Sequence, residues 1–577
     1  MNRKAMKSSG LFWSLFGMAA FCACSETGMP DANGSGSMES GRFLAVEVAN
    51  PASTRASDND YEPGSDNESK VHSLRFYFFN KAGEAVSVSA NGSTNYVDCP
   101  QIEPEAGGDG ANVEKKLQAV ILVNTQNGGT ANVNSMVAVA NYEIANLGGI
   151  SLSLAELGRK IGDYGLPRKD DGTTPRFLMT SSSYAGAAGP VVATEIKAAN
   201  LCETEEKAKE NPVVVYVERV VAKTRLRTAW TGGTATREGV TYNGKTYTAT
   251  ALKDNDGKDI RFGGKQLYAI FTAWDVTGTI DKSHLFKKVN TTAAWNLGWI
   301  WNNAAFSRSY WAMNPDKTTL GYIRYNDIGR EVGTADFAYC LENAADNFND
   351  GTKSGYDPAT QTGNRTQAII AAVLVTVDGS DRATPVSLAR WAGGDYTEEG
   401  AKTAMLNTVS TQLYVKEGGS FVSIKPAHVR FVTATAAGMA DDKSEESPRY
   451  MSHLQLTEAA RSIQFYSDAS DAATLTSAQV NDSLKGIPGA KVWKTGLTYY
   501  YTDLRHLGPE ASKGLYGVVR NHIYDVKINT IAGLGTPVYD PDEVIVPQKP
   551  GKDETYVAAK INILAWRVVG NDTDLAW

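Results

Sequence analysis

Residues 43–50 read FLAVEVAN, and this short stretch decides how the amino-terminal part of the chain is interpreted. Its larger apolar side chains occupy every second position: Leu44, Val46 and Val48. A period of two residues predicts a half-buried β-strand. The segments on either side, 25–41 and 58–70, are polar and rich in residues that favour turns. The stretch is therefore a single strand set between two polar segments.

Short apolar runs recur along the rest of the chain, separated by turn residues. In the first half they are HSLRFYFFN, LQAVILVN and MVAVANYEI, and in the second half QLYAIFTAWDVTG, AIIAAVLVTV and HVRFVTA. Strands on a rhythm of about 8–15 residues with few helices are typical of β-sandwiches. The sequence therefore predicts an all-β fold with minor helices.

The run VVVYVERVVAKTRLRTAW at residues 213–230 predicts one long strand that closes a first domain. Two helices are predicted, one at 398–412 and one at 153–164, where Ser153 and Glu156 have capping-box spacing. The resulting organisation is a signal peptide, a tether with one strand, two β-sandwiches, and a terminal segment: 1–23, 24–55, 56–228, 229–535 and 536–577.

The composition limits the classes of function open to the chain. Its 577 residues include 57 lysines and arginines against 64 acidic residues, a net charge of −7. This charge argues against a nucleic-acid partner bound through a general basic surface. Five cysteines exclude a disulfide scaffold. Three of them are predicted to be small buried apolar side chains: Cys99, Cys202 and Cys340.

No motif of a known catalytic class is present. The G-x-S-x-G, H-E-x-x-H, P-loop and G-x-G-x-x-G patterns are absent, and the six histidines are singly scattered. The acidic loop 346–357 resembles a calcium-binding EF-hand loop, but Phe348 occupies a ligand position and Asp357 stands where an EF-hand has Glu. We therefore interpret it as a polar loop. Four tryptophans between positions 295 and 311 could stack sugars, although packing in a large β domain is the commoner role. We expect no enzyme activity, no cofactor and no metal.

The amino terminus has the pattern of an export signal. Basic residues at positions 3, 4 and 7 precede an apolar stretch, Leu11–Phe21, that is too short to span about 30 Å of hydrocarbon. The stretch ends in FCACS, which resembles a bacterial lipobox with Cys24 as the lipidated residue. Acyl chains such as palmitate would then attach the precursor to a membrane. The alternative is an ordinary cleavage site near Ala23.

The carboxy terminus mirrors this arrangement. Residues 536–554 contain four prolines and several charges, which is typical of an extended linker. Beyond it, TYVAAKINILAWRVVG at 555–570 predicts one more strand. One face of that strand is entirely apolar: Val557, Ala559, Ile561, Ile563 and Ala565. It could fill the same slot as residues 43–50, or it could be an ordinary last strand that pairs within its own domain.

Residues 515–535, LYGVVRNHIYDVKINTIAGLG, combine an Arg-Asn-x-Ile-Tyr turn with an alternating strand and a Leu-Gly stop. This stretch resembles the carboxy-terminal region of the Bacteroidales major fimbrial subunits, the type V pilins of the fimbrillin family. The shaft subunit of the short fimbriae is the most similar type. Weaker matches follow in the same order along the chain: VVVYVERVVAKTRLRT, RSYWAMNP, GLTYYYTDL and the terminal strand.

The resemblance implies a lipoprotein precursor with two tandem transthyretin-like β-sandwich domains. In that family an arginine-specific protease removes the amino-terminal strand, and Arg55-Ala56 lies where the family is cut. A trypsin-like protease would be needed in a species without that enzyme. The emptied groove accepts a strand from another subunit, so the implied partners are further copies of the chain together with accessory and anchor subunits. The implied location is a cell-surface fimbria that serves adhesion, biofilm formation and virulence, with the precursor anchored in the outer membrane.

Two other functions stay open. One is an accessory or tip adhesin subunit of the same pilus, whose groove accepts a strand but whose carboxy terminus does not donate one. The other is a glycan-binding surface lipoprotein that uses the tryptophan cluster, Trp295, Trp299, Trp301 and Trp311. A lipid-anchored monomer with measurable glycan affinity would favour the latter.

Overall fold

The computed structural model describes a large part of the chain. The described residues are 22–24, 42–51, 64–65, 67–88, 94–100, 105–106, 113–123, 132–164, 168–169, 175–186, 189–229, 235–254, 256–289, 312–315, 320–333, 336–344, 365–439, 450–506, 517–547, 558–565 and 567–576. Some strand residues are described by their backbone alone, among them 22–24, 47–51, 113–118, 558–565 and 567–576.

The first part of the chain is built from short and medium strands with two small helices. In chain order the elements are β1 Cys22–Cys24, β2 Arg42–Pro51, β3 Ser73–Phe79, β4 Tyr96–Pro100, β5 Glu105–Ala106, β6 Val113–Val123, β7 Ser135–Ala140, α1 Leu154–Gly158, β8 Ile161–Gly162, β9 Arg168–Lys169, β10 Pro175–Arg176, β11 Met179–Ser181, β12 Tyr184–Gly186, β13 Gly189–Val191, β14 Thr194–Glu195, α2 Glu205–Glu210 and β15 Val213–Arg219.

One sheet carries the first domain. Its strand order is β1-β6-β2-β15-β11-β7-β3-β4, with β5 beside β6 and β14 beside β7. Alternate residues of β2, β6 and β15 share one buried core with those of β3 and β7, as expected for strands whose side chains point to opposite faces in turn. The core includes Leu44, Phe76, Ile121, Met136 and Val215.

The predicted single strand at 213–230 is two strands with different partners. β15 ends at Arg219, and β16, Val221–Thr228, begins after the fully buried Val220. β15 pairs with β2 and β11 of the first sheet, whereas β16 pairs with strands of a second sheet. The apolar pattern continues through both strands, so periodicity could not reveal the change of sheet.

The second domain begins with β16 and continues through longer strands. They are β17 Thr236–Tyr242, β18 Lys245–Ala251, β19 Arg261–Phe262, β20 Lys265–Gln266, β21 Tyr268–Thr277, β22 Thr279–Ile280, β23 Ser283–His284, β24 Leu320–Gly321, β25 Ala338–Leu341, β26 Gln367–Val377 and β27 Ala383–Pro385.

A unit that the sequence did not reveal follows β27. Its elements are β28 Leu388–Trp391, β29 Gly394–Tyr396, α3 Glu398–Asn407, β30 Tyr414–Glu417, β31 Ser420–Ser423, β32 Val429–Thr433, β33 Met451–Leu456, β34 Phe465–Tyr466, β35 Thr474–Leu475, α4 Ser477–Lys485 and β36 Ala490–Trp493. They form two sheets, β29-β28-β36-β33-β32 and β31-β30-β34-β35, around a separate core that contains Met405, Phe431 and Leu484.

The chain then returns to the second domain. The last strands are β37 Leu497–Asp503, β38 His522–Ala532, β39 Thr536–Pro537, β40 Ala558–Ala565 and β41 Arg567–Ala576. They complete two sheets, β25-β16-β38-β41-β40 and β17-β18-β21-β26-β37-β39, with β27 beside β26. Because β26 and β37 are direct neighbours, the unit between β27 and β37 is an insertion that leaves this sheet continuous. The prediction of an all-β fold with minor helices is confirmed.

The helix predictions are confirmed in position and corrected in length. α1 begins with the predicted capping box, in which Ser153 Oγ accepts from the Glu156 N–H (3.2 Å), but the helix ends at Gly158 rather than near 164. α3 covers 398–407 of the predicted 398–412. Short 3-10 turns lie at Tyr142–Ala145, Ala198–Asn200, Tyr325–Asp327, Pro426–His428, Ala459–Ser462 and Lys494–Gly496.

A buried polar cluster joins the two domains, since Nη1 of Arg520 donates to the Thr180 hydroxyl of β11 (3.5 Å). Arg520 is fully buried and donates from Nε to Oε1 of Glu342 over 2.8 Å. Its other nitrogens donate to the backbone carbonyls of Leu285 (2.9 Å) and His284 (2.8 Å). A buried guanidinium needs such partners because an unpaired charge in the interior is strongly destabilising.

The neighbouring Asn521 fixes the backbone at the same junction. Its φ of 58° lies in the left-handed region, which Asn tolerates better than most residues. Its backbone N–H donates to the Val221 carbonyl (2.8 Å), and its side-chain oxygen accepts from the Arg219 N–H (3.3 Å). The Arg-Asn turn at 520–521 is therefore hydrogen-bonded to both sides of the connection between β15 and β16.

Candidate strand-exchange groove

The strand predicted from residues 43–50 is β2, and it is an interior strand of the first sheet. One edge pairs antiparallel with β6, from Arg42 opposite Val123 to Pro51 opposite Val113. The other edge pairs parallel with β15, where Val46 lies opposite Val213. We call the space between β6 and β15 the groove. β2 fills it with hydrogen bonds on both sides.

The apolar face of β2 lies in the core of the first domain, as the alternation predicts. Leu44 and Val46 are both fully buried, in one cluster with Phe76 and Ile121. The backbone of Val48 pairs with Leu117 of β6, while its side chain lies outside the described part of the structure. Burying a side chain of this size stabilises a fold by about 1.5–3 kcal/mol, so β2 contributes substantially to the domain.

The start of β2 is bonded to a segment of the domain other than β15. Phe43 donates its N–H to the Cys202 carbonyl (2.7 Å), and Cys202 donates its N–H to the Phe43 carbonyl (2.9 Å). The Arg42 guanidinium lies 2.9 Å from the Glu203 carboxylate and lowers the pKa of that exposed group. Nothing in the sequence pattern connects residues 42–43 with residues 202–203. The local pattern does indicate the helix that follows, because Thr204 precedes two glutamates and then lysines, which is typical of a helix start.

The chain downstream of the predicted cleavage site is anchored at the domain junction. Arg55 and Ala56 themselves lie outside the described residues. Twelve positions after Ala56, the buried Glu68 accepts from Lys223 Nζ (2.9 and 3.0 Å) and from the Tyr339 hydroxyl (2.7 Å). Burial opposes ionisation of Glu68, but the cations Lys223 and Arg219 outweigh it, so the pKa of the carboxyl is lowered.

The predicted donor strand does not lie near the groove in this structure. Residues 555–570 were predicted as one strand, but the structure has a hairpin in which β40 pairs antiparallel with β41. β41 in turn pairs parallel with β38 of the second domain. β40 is therefore the outermost strand of the sheet β25-β16-β38-β41-β40 in the second domain, and it is not an isolated strand. Val557 and the side chains of Ala559, Ile561, Ile563 and Ala565 lie outside the described part of the structure.

The second domain contains the same pairing pattern around β16. That strand pairs antiparallel with β25 on one edge and parallel with β38 on the other, as β2 pairs with β6 and β15. β16 differs in being joined to β15 through Val220 alone. A cut at Arg55 would thus remove the equivalent strand from the first domain only.

The remaining candidate sites receive little support. Among the described residues, no group of three or more His, Cys, Asp or Glu side chains could hold a metal ion. The loop 346–357 and the tryptophans at 295, 299, 301 and 311 lie outside the described residues. Within the described part, no helix is long and apolar enough to cross a membrane. The backbone of Cys24 ends β1 opposite Ile121, and its side chain is not described.

The cysteine predictions hold only in part. Cys340 is a buried free thiol, and burial raises its pKa to about 12. Cys202 is free but only partly buried, because it lies on the surface segment beside Phe43. Cys99 is fully buried in the first core, but it is disulfide-bonded, so the prediction of a plain buried thiol is wrong there.

These observations define a protein with two tandem β-domains. The sheet of the first domain is completed by β2, which lies before that domain in the sequence. Residues 491–572 match the family model described as the C-terminal part of fimbrillin, the major fimbrial subunit protein type IV. The match runs from β36 to β41 and includes the turn at 520–521. It confirms the predicted resemblance to the fimbrillin family in this part of the chain. No curated protein matches the chain.

Several solved structures are similar over most of their length at low identity. A proposed cell adhesion protein from Parabacteroides distasonis has 11% identity and a TM-score of 0.37, covering 89% of this chain and 95% of the other. A fimbrilin from Porphyromonas gingivalis has 11% identity and a TM-score of 0.34, covering 92% and 97%. A C-terminally truncated tip fimbrial protein from the same species has 11% identity and a TM-score of 0.26, covering 84% and 95%.

Proposed function

We propose that this chain is the shaft subunit of a cell-surface fimbria and polymerises with itself by strand exchange. The precursor is held at the outer membrane through lipidated Cys24. An arginine-specific or trypsin-like protease cuts between Arg55 and Ala56, and β2 then leaves its groove. The terminal strand of a second copy fills the vacated groove. The role is structural and requires neither catalysis nor a cofactor.

The position of β2 is the observation that carries the proposal. β2 is bonded on both edges, yet it lies upstream of Arg55, so a cut there detaches it from the domain that it completes. Its departure would open the core at Leu44 and Val46 and leave unpaired backbone on β6 and β15. Such an opening is a template for another extended strand.

The anchored segment around Glu68 supports the same sequence of events. Its carboxylate and backbone are bonded to Lys223, Tyr339 and Arg219, at the junction of the two domains. These contacts lie downstream of the cut and keep the new amino terminus in place. Cleavage therefore frees β2 without loosening the rest of the first domain.

The carboxy-terminal hairpin supplies the strand in this proposal. β40 pairs with β41 alone among the described strands, so its release breaks one ladder. Its apolar face, from Val557 to Ala565, has the alternation of residues 44–48. The family match at 491–572 favours a fimbrial role. Accessory and anchor subunits are the further partners, and an accessory or tip subunit would be distinguished by failing to donate a strand.

A reversible lock on β2 tests the proposal. Phe43 and Cys202 exchange two backbone hydrogen bonds, and the Cα atoms of such a pair lie about 5.5 Å apart, within the span of a disulfide. The variant Phe43→Cys should therefore form a disulfide with Cys202. After cleavage at Arg55 the oxidised variant should keep β2 and form no high-mass ladders in mild detergent. Reduction should release β2 and start polymerisation.

The matched control is Phe43→Ser, which shortens the same side chain but supplies no thiol. Because Cys99 is itself disulfide-bonded, all the proteins compared carry Cys99→Ser. In that background Phe43→Ser should polymerise after cleavage with or without reductant, as should the protein with Phe43 intact. Ladders that form equally fast from the oxidised and the reduced Phe43→Cys protein would show that β2 need not leave its groove, and the proposal would be wrong.

A further inference from the structure

A short surface segment closes over the outer side of β2. We call residues Leu201–Glu210 the latch. Its first part pairs with the backbone of Phe43 through Cys202, and its second part is the helix α2. The latch belongs to the first domain and lies downstream of the predicted cut, so it stays with the subunit when β2 leaves.

The helix packs directly on the outward face of β2. Ala208 is fully buried against Ala45 of β2 and Val120 of β6, with Phe43 and Cys202 at the edge of the same cluster. Ala45 is also fully buried. Two alanines in contact allow the helix to approach the sheet closely. A larger side chain at position 45 would have to displace the helix, because a packed contact leaves no spare volume.

The shape of the latch is maintained by bonds that do not involve β2. Thr204 caps α2 by accepting from the Lys207 N–H (3.3 Å), and Asn211 donates from its side chain to the Lys207 carbonyl (3.2 Å). Asn200 donates from its side chain to the Asn211 carbonyl (3.0 Å), which joins the two ends of the segment. Leu201 packs on the first core. These contacts would remain after β2 leaves, so we expect the latch to keep its conformation beside the empty groove.

We propose that Ala208 determines the register of the strand that replaces β2, by admitting only a small side chain at the position of Ala45. This inference rests on the proposed function, since it concerns the strand that enters the groove. The occupant is the terminal strand of a second copy of this chain. Ala208 then acts as a specificity-determining residue for assembly.

The sequence of the terminal strand fits one register. Its outward positions are Ala558, Lys560, Asn562, Leu564 and Trp566, and only Ala558 matches Ala45 in size. With Ala558 beneath Ala208 and the strand running in the direction of β2, three apolar residues take the places of Leu44, Val46 and Val48: Val557, Ala559 and Ile561. In the opposite direction Thr555 would take the place of Val48. The register with Ala558 at position 45 and the direction of β2 is therefore the one we assign.

Cysteine cross-linking tests this register. In a Cys202→Ser background, the pair Ala45→Cys with Ala208→Cys should cross-link within the precursor, which calibrates the contact that the structure shows. The pair Ala208→Cys with Ala558→Cys, cut at Arg55 and allowed to polymerise, should give covalently linked ladders without reductant. The matched pair Ala208→Cys with Lys560→Cys should polymerise but give no covalent ladder.

A size substitution provides a second measurement. Ala558→Leu should slow ladder formation about tenfold, because a larger side chain overpacks the close contact with Ala208 and disfavours insertion of the strand by about that factor. Lys560→Leu places the same side chain two positions away and should polymerise at nearly the unsubstituted rate.

The outcomes separate this inference from the proposed function. If unsubstituted, cleaved protein forms no ladders, strand exchange itself is wrong and the register falls with it. If ladders form but the cross-link forms with Lys560→Cys instead of Ala558→Cys, or with neither, exchange stands and the role of Ala208 is overturned. Equal rates for Ala558→Leu and Lys560→Leu would overturn it as well.

Discussion

Glu68 and Lys223 form an ion pair of 2.9 Å in which both side chains are almost completely buried. Glu68 belongs to the segment that follows the predicted cut, and Lys223 lies on β16, the first strand of the second domain. The pair thus connects the segment after the predicted cut to the first strand of the second domain. Surface ion pairs contribute little to stability, but breaking a buried pair leaves a charge that the interior does not solvate.

The substitution Glu68→Gln should destabilise the protein by about 3–5 kcal/mol, because it removes the negative charge that Lys223 faces while leaving the ammonium buried. Denaturant unfolding followed by tryptophan fluorescence measures the change. The matched control is Asp256→Asn, which removes one partner of an exposed pair with Lys258 (3.9 Å) and should leave the denaturant unfolding curve nearly unchanged. Equal effects of the two substitutions would contradict the structural role of Glu68.

The same carboxyl should make the protein sensitive to acid. Its folded-state pKa is lowered from the ordinary value of 4.5, so the stabilisation is fully present above about pH 4.5 and is lost as the pH falls through the folded-state pKa. One proton of this kind changes the free energy of unfolding by up to about 1.4 kcal/mol per pH unit. Between pH 5 and pH 3 the unsubstituted protein should therefore lose stability more steeply than Glu68→Gln. Parallel curves for the two proteins would contradict this.

The fold class and the local elements could be predicted because they depend on local pattern. The alternation at 44–48 gave β2, and the spacing of Ser153 and Glu156 gave the start of α1. The split of 213–230 could not be predicted, because both halves have the same apolar period and differ only in which sheet they join. The insertion 388–493 was missed for a similar reason, since its strands have the same rhythm as those of the surrounding domain.

For the candidate site, the sequence predicted the local features of β2 but not its contacts with distant residues. The sequence indicated which face of β2 is apolar, but not that Phe43 meets Cys202 or that Ala45 meets Ala208, contacts between residues more than 150 positions apart. The Arg-Asn turn at 520–521 is part of the family resemblance, but the sequence alone does not explain why these two residues are required there. The structure supplies one, because Asn521 adopts a positive φ and bonds the strand crossing.

Lipidation of the precursor should depend on Cys24. The variant Cys24→Ser retains the export signal but removes the only thiol at the predicted acylation position. It should accumulate as an unacylated precursor that no longer fractionates with membranes. Metabolic labelling with a fatty acid measures this directly. Cys22→Ser, two positions upstream, is the matched control and should still be labelled; normal labelling of Cys24→Ser would contradict the assignment.

Maturation should depend on Arg55. It follows β2 along the chain and precedes the polar segment 58–70. Arg55→Ala should leave uncut precursor that does not polymerise, and sheared fibres of the unsubstituted protein should begin at Ala56. Arg42→Ala removes the arginine at the other end of β2 and should still be cut. Polymerisation of Arg55→Ala into fibres that retain residues 43–50 would show that cleavage is not required.

Strand donation should depend on Ile561 and Ile563. In the groove each would bury a side chain worth about 1.5–3 kcal/mol, and an ionised aspartate there would also meet a desolvation penalty. The double change Ile561→Asp with Ile563→Asp should therefore abolish polymerisation of the cleaved protein. The monomer should still fold, because β40 is an outermost strand paired only with β41 in the described structure. The matched control, Lys560→Asp with Asn562→Asp, adds two carboxylates to the outward face and should still polymerise.

Two measurements on the cleaved double variant decide the matter: its thermal melt as a monomer and its ladders in mild detergent. A near-normal melt without ladders is the result expected of a donated strand. Loss of the folded monomer would instead mean that Ile561 and Ile563 complete the core of their own domain, as an ordinary last strand does. Ladders that persist would mean that another segment fills the groove. Both variants place two aspartates on the same strand, on opposite faces, and the control makes the larger change in charge because it also removes a lysine. Loss of ladders in the isoleucine variant alone therefore reports which face is buried on assembly.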